Sequence, residues 1–307
     1  MPKENSTRTF QAVLLKVLMR IKRRERFKSA TAEQMHLGLG ISIVNAALAK
    51  CLDVNVLANK KSVYKENAYI LVANLRGICE DLIVLKYLEK LPEKQRDQYL
   101  SLLQINNLRH GILTQSRFFK ANNPFQPIAG GNVSQAQEQL KASNEDLKDF
   151  WLTVNGTKRG PTVRDMAVEA GLPTTYEYIY FLSSNFVHFN PHTLLRTGWG
   201  PLEGPFEFSV HNMNGYYADL VSFYGALILV GFHSVFGDRC FTDDAKSDID
   251  DIIEIIDQVP RWPELVTYEE LNQKPPMLHF MTLAMRKVAE KEGELIEYGE
   301  ILREVGI

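Results

Sequence analysis

The chain has 307 residues, 45% of them hydrophobic and 23% charged, with a formal net charge of −2. This composition supplies the apolar surface for a sizeable core and excludes a disordered chain. The near-neutral balance provides no global field that would select nucleic acid or an anionic membrane, so any such contact must come from a local patch.

The first expected element is a helix over residues 7–24, where Phe10, Val13, Leu14, Val17, Leu18 and Ile21 recur at spacings of three and four and make one apolar face. The segment has no signal-peptide pattern, because its basic run (Arg20, Lys22, Arg23, Arg24, Arg26, Lys28) follows the apolar stretch. That run reads either as a solvated helix end that suits the helix dipole or as a phosphate-contacting surface. Thr31 with Gln34 resembles a capping box opening a second helix to about residue 52. Residues 66–91 form a third helix, ended by Pro92, which also suits the first turn of a fourth over 93–120. Residues 124–132 (PFQPIAGGN) are loop chemistry. Ser134 and Gln137 suggest a polar helix reaching about residue 154, and the Asn155-Gly156 pair marks a break. A short helix near 163–170 follows, then one over 174–189 closed by Asn190-Pro191. Phe206, Phe208 and Val210 alternate within 197–210, the one stretch expected to form a β-hairpin.

Residues 216–236 read as an apolar central helix. Its core, 221–236, falls short of the roughly 20 residues a membrane span needs. An acidic amphipathic helix is expected over 243–259 and a charged one over 277–305. The fold expected is all-α: a single multi-helix bundle over residues 1–307, of about nine helices with one small β-hairpin. In it, helices of 1–62 pack on a 63–236 core and 237–307 add the C-terminal helices. Cys51, Cys79 and Cys240 form no Cys-x-x-Cys pair, which points away from a disulfide framework or zinc ribbon and toward a reducing, cytoplasmic setting.

Two polar stripes interrupt apolar helices. Arg76 and Glu80 lie one turn apart within a run that includes Leu75, Ile78, Leu82 and Ile83, where an ion pair must be matched internally. Tyr180, Ser184 and His188 are spaced by four, with Asn185 beside them, among Ile179, Phe181, Leu182, Phe186 and Val187. The two stripes are expected to meet. They read either as a buried structural network or as a site in which His188 acts as acid or base near neutral pH. His188 and His192 have the spacing of metal ligands, but Pro191 between them breaks the helix and no carboxylate accompanies them, so no metal or other cofactor is expected. No Gly-x-Ser-x-Gly elbow surrounds Ser184, and Gly130-Gly131 lacks the Lys-Ser/Thr of a phosphate loop.

Arg76 and Glu80 on one helix, followed by Tyr180-x-x-x-Ser184-x-x-x-His188, a proline and a hairpin, resemble an uncharacterised family of bacterial all-helical proteins, over roughly 65–236. More distantly, Asn185-x-x-His188 resembles the HEPN superfamily, whose members are often metal-independent ribonucleases of toxin and phage-defence systems. That family carries an Arg, then four to six residues, then the His on one helix. Here no Arg stands so, and Arg76 would take its place. The resemblance implies RNA cleavage with His188, Arg76 and Glu80 as catalytic residues, Ser184, Asn185, Tyr180 and His192 contacting substrate, and a homodimer, for which the terminal apolar stripe of residues 10–21 offers a surface. The alternative is a non-enzymatic sensor or partner-binding subunit, working beside a second protein of a defence system, whose polar cluster is structural.

Overall fold

The computed structural model describes residues 4–24, 39–60, 67–123, 132–154, 156–195, 197–199 and 207–266. Among them are ten α-helices: α1 (Glu4–Arg24), α2 (Leu39–Ala58), α3 (Ala68–Leu88), α4 (Glu93–Asn122), α5 (Asn132–Asp146), α6 (Val163–Glu169), α7 (Pro173–Val187), α8 (Pro191–Leu195), α9 (Asn214–Cys240) and α10 (Asp243–Asp257). Two antiparallel two-stranded hairpins complete the described elements, β1 (Leu152–Val154) with β2 (Thr157–Arg159) and β3 (Gly198–Trp199) with β4 (Glu207–Phe208). The all-α expectation is met. The capping box at Thr31, the loop 124–131 and the helix expected over 277–305 lie outside the described residues.

Helix α9 is the axis of the bundle. It is apolar around most of its circumference, and Tyr217, Phe223, Phe232 and Phe236 are essentially without solvent contact, as expected of a helix surrounded by others. It packs on α3 and α2, with α10 and α1 on its remaining flank. By length and composition, residues 40–58 and 214–240 could each cross a membrane; in α9 two-thirds of the apolar window, 67%, is buried within the chain itself. Close approach to its neighbours depends on small residues. A Cβ on Gly225 would lie 2.7 Å from Asn55 Oδ1, and one on Gly231 would lie 2.8 Å from Leu82 Cδ2. Asn55, fully buried on α2, uses the room at Gly225 to donate from Nδ2 to the Gly225 carbonyl (3.0 Å) and to the Cys51 carbonyl (2.9 Å).

The apolar stripe of α1 is covered by the chain's own α10. Leu14, Val17, Leu18 and Ile21 are buried, and α1 has most of its contacts with α10, whose Ile249, Ile252 and Ile256 face inward. Each such side chain contributes about 1.5–3 kcal/mol by leaving water. The stripe therefore no longer argues for a second copy. The adjoining basic run is also partly used: Arg20 pairs with Asp248 (2.6 Å) and Asp251, and Lys22 pairs with Asp53.

Three local differences from the sequence reading have plain causes. The polar helix stops at Asp146 and a 3-10 turn (Leu147–Phe150) leads into β1–β2, an additional hairpin. The β-branched Thr153 and Val154 followed by Asn155-Gly156, with Gly156 at φ +77°, are the composition of a tight hairpin turn. Thr162 and Asp165 form a reciprocal capping box that starts α6. Finally, α7 ends at Val187, two residues before the expected boundary, because His188 already takes an extended conformation (ψ 160°).

Candidate functional site

Helices α3 and α7 run antiparallel: Arg76 meets Tyr180, while Tyr69, two turns nearer the start of α3, meets Phe186 with ring centroids 5.1 Å apart. Arg76 Nε donates to Glu80 Oε1 at 2.8 Å, and its guanidinium carbon lies 4.5 Å from the centre of the Tyr180 ring. Tyr176, one turn earlier on α7, packs beside Tyr180 (5.4 Å). Both partners of the ion pair are only about two-thirds covered, at 30% and 27% side-chain exposure. The hydrogen bond that Arg76 donates to Glu80 raises the Arg76 pKa, with the Glu80 charge adding to it. Burial raises the Tyr176 hydroxyl, with the Glu80 charge acting in the same direction. The stripes thus meet by stacking of a cation on a ring, at one residue of the three, and Tyr176 joins them. Its position four residues before Tyr180 was the available sequence cue.

The rest of the second stripe lies elsewhere. His188 is exposed at the end of α7, and its backbone N–H donates to the Ser184 carbonyl (2.9 Å). It follows Tyr180 by eight residues, about 12 Å along the helix axis. No hydrogen bond or ion pair joins it to Arg76 or Glu80 among the described residues. The Ser184 hydroxyl is buried and finds no hydrogen-bond partner among the described residues. Asn185 Oδ1 accepts from Asn190 Nδ2 (2.6 Å), and Asn190 Oδ1 in turn accepts from the Thr193 backbone N–H (3.1 Å) at the start of α8. The His192 side chain lies outside the described residues.

A family model described as a family of unknown function, DUF5677, matches residues 39–199, more than half of the chain. The chain belongs to the DUF5677 family. Its DUF5677 stretch runs from α2 to β3 and carries Arg76, Glu80, Tyr176, Tyr180, Ser184 and His188. The central helix α9 and the α1–α10 pair fall outside that match, although α9 packs on α2 and α3 within it. No curated protein and no solved structure matches the DUF5677 chain.

Other polar groups of the DUF5677 protein had no sequence signal, since their partners are distant along the chain. Asp219 on α9 accepts from Gln11 Nε2 (3.0 Å), and burial pushes its carboxyl up to about 7. The segment 259–266 is strapped across α7 and α9 by tyrosines: Tyr224 donates to the Pro263 carbonyl (2.7 Å), and the Tyr216 hydroxyl lies 2.7 and 2.8 Å from the Glu264 and Leu265 carbonyls. Cys51, Cys79 and Cys240 are free thiols, all buried. Burial raises the Cys51 thiol and pushes Cys79 up to about 12, which removes both as nucleophiles near neutral pH.

The apolar surface is uneven. Where α7 gives way to α8 and the β3–β4 hairpin, Val187, Phe189, Leu194, Phe208 and Val210 are all exposed, Phe189 by 83% and Phe208 by 61%. The hairpin pairing (Gly198 opposite Phe208) and the Ser209 N–H to Thr197 carbonyl bond hold Phe208 and Val210 beside the C-terminal end of α8, and Val187 and Phe189 lie just before α8 in the chain.

Proposed function

We propose that this chain is a non-enzymatic binding subunit that presents the α7–α8–hairpin end to a protein partner, with the Arg76–Glu80–Tyr180 cluster acting as a clamp between α3 and α7. The observation that carries the reading is the concentration of bulky apolar side chains in contact with solvent at that end, the surface signature of an interaction site. The clamp supports it from the other side. Arg76 is occupied by Glu80 and by the ring of Tyr180, so its charge is already satisfied within the chain. A photo-crosslinking residue placed at Phe189 or Phe208 should capture a discrete protein adduct in the native host, whereas one at Glu138 on α5 should not. Equal labelling at all three positions, or none, would remove the reading.

A second reading, HEPN-like RNA cleavage, draws support from one observation: His188 offers an exposed imidazole one turn from an unpartnered Ser184 hydroxyl. An acid/base group and a charge-stabilising guanidinium must both come within about 3 Å of the same phosphodiester. Arg76 and His188 meet that requirement only if α7 shifts against α3 and breaks the clamp. Incubation of the purified chain with labelled RNAs of varied sequence, without added metal, separates the readings: the binding-subunit reading expects no cleavage.

A further inference from the structure

The ends of four helices surround a cavity of about 430 Å³, some 20 Å along α3 from Arg76. Its walls are apolar: Ile41 and Val44 of α2, Leu85 and Leu88 of α3, Leu100 of α4 and Phe236 of α9. Its rim is ionic. Glu89, just past the end of α3, accepts from Arg96 Nη1 (2.6 Å) and from Arg239, so a single carboxylate engages both guanidinium groups. Glu93 and Asp97, one turn apart on α4, line the same rim and form no ion pair or hydrogen bond among the described residues. The N-terminal ends of α2 and α4 and the C-terminal ends of α3 and α9 meet here, and their opposite end charges offset one another. What remains is formal charge: three carboxylates against two arginines, an excess of one negative charge on the lining. Lys90, close in sequence, is directed at Glu169 instead.

We propose that this cavity binds an organic monocation with an apolar body, its ammonium held between Glu93 and Asp97 and its carbon skeleton against the aliphatic and Phe236 walls. This cavity is lined by residues of α2, α3, α4 and α9 and shares none with the α7–α8–hairpin end. An anionic ligand is disfavoured, since it would have to displace Glu89 from two charge-assisted bonds while facing Glu93 and Asp97. The volume lies within the range of about 300–1,000 Å³ found for small-molecule sites. Gly40 keeps one wall open: a Cβ there would come 3.4 Å from Asp97 Oδ1 and 3.9 Å from Leu100 Cδ1, so a larger side chain would enter the space.

The test is a calorimetric titration of the full chain with 4-phenylbutylamine, beside 4-phenylbutanoate, which has the same body and the opposite charge. The amine should bind saturably and the acid should not. The Glu93→Gln/Asp97→Asn double variant, which alters a solvent-facing rim, should melt like the parent yet bind the amine about tenfold more weakly. Gly40→Leu should abolish binding by filling the cavity. Absence of saturable amine binding up to millimolar concentration overturns the proposal. So does equal binding of the acid, or undiminished affinity in a folded double variant.

Discussion

Replacing Gly225 with alanine sets two effects of opposite sign against each other. Within a helix, alanine is favoured over glycine by about 1 kcal/mol, so propensity alone predicts a more stable protein. At this position the added methyl would sit 2.7 Å from Asn55 Oδ1 and 3.2 Å from its Cγ, inside contact distance of a fully buried side chain. Asn55 cannot turn away freely, because its Nδ2 donates to the carbonyls of Cys51 and Gly225. Forcing it aside costs about 1–3 kcal/mol of overpacking and leaves a buried amide short of a partner, a further 1–3 kcal/mol or so. The net expectation is a loss of about 1–5 kcal/mol, read as a lowered urea midpoint at unchanged slope. Asn55→Ala in the same background removes the obstructing group and should recover part of the loss, since neighbouring substitutions couple. A Gly225→Ala protein as stable as the parent, or more so, would show that α2 and α9 are not held at this distance.

Asp219 should make stability fall with pH. Its folded pKa of about 7 stands above the usual carboxylate value, so the folded state keeps a proton that the unfolded chain releases near 3.8; stability therefore declines between about pH 4 and 7 and is level above. Asp219→Asn keeps an acceptor for Gln11 and should gain a few kcal/mol over the parent at pH 8 but nothing at pH 4; parallel denaturant curves at the two pH values check this. Asp165 works the other way. Arg159, followed by its Thr162 contacts, lowers it to about 2, so its contribution is present above about pH 4 and disappears as pH falls toward 2. Asp165→Ala should cost about 1–2 kcal/mol at pH 7 by removing one half of the α6 capping box together with the Arg159 pair, and a melting temperature equal to the parent's at pH 7 would contradict it. Tyr224→Phe removes a donor to the Pro263 carbonyl and should cost about 1 kcal/mol while speeding limited proteolysis within 259–266; an unchanged cleavage rate would mean that the strap does not depend on this hydroxyl.

Helix identity was legible because it follows from local periodicity, as in the i, i+3, i+4 face of α1 and the nearly unbroken apolar run of α9. Partnership was not. Nothing in residues 10–21 says that their stripe is covered by Ile249, Ile252 and Ile256, more than 220 residues on, and a bare terminal stripe therefore read as a dimer surface. The same limit governs the candidate site. Spacing placed Arg76 with Glu80, and Tyr180 with Ser184 and His188, but the antiparallel alignment of α3 and α7 decides which turn of one meets which turn of the other. It brings Tyr180 to Arg76 and leaves His188 two turns away. Asn190-Pro191 marked that α7 must end, but a proline restricts only the residue before it, so the stop at Val187 had no cue of its own. The β1–β2 hairpin had its cue in Asn155-Gly156, masked by the helix-forming residues before it. The Glu89–Arg96–Arg239 group had none, because its members come from two separate parts of the chain.

Arg76 and Tyr180 join α3 to α7, and His188 stands apart from them. Arg76→Ala and His188→Ala, purified beside the parent, test this arrangement through urea unfolding and cleavage of a labelled RNA. Arg76→Ala should lose about 1–2 kcal/mol, from an ion pair about two-thirds covered and a cation–ring contact; His188→Ala should stay within about 0.5 kcal/mol of the parent, and none of the three proteins should cleave RNA. Cleavage by the parent that disappears in both variants, with their stabilities unchanged, would contradict it.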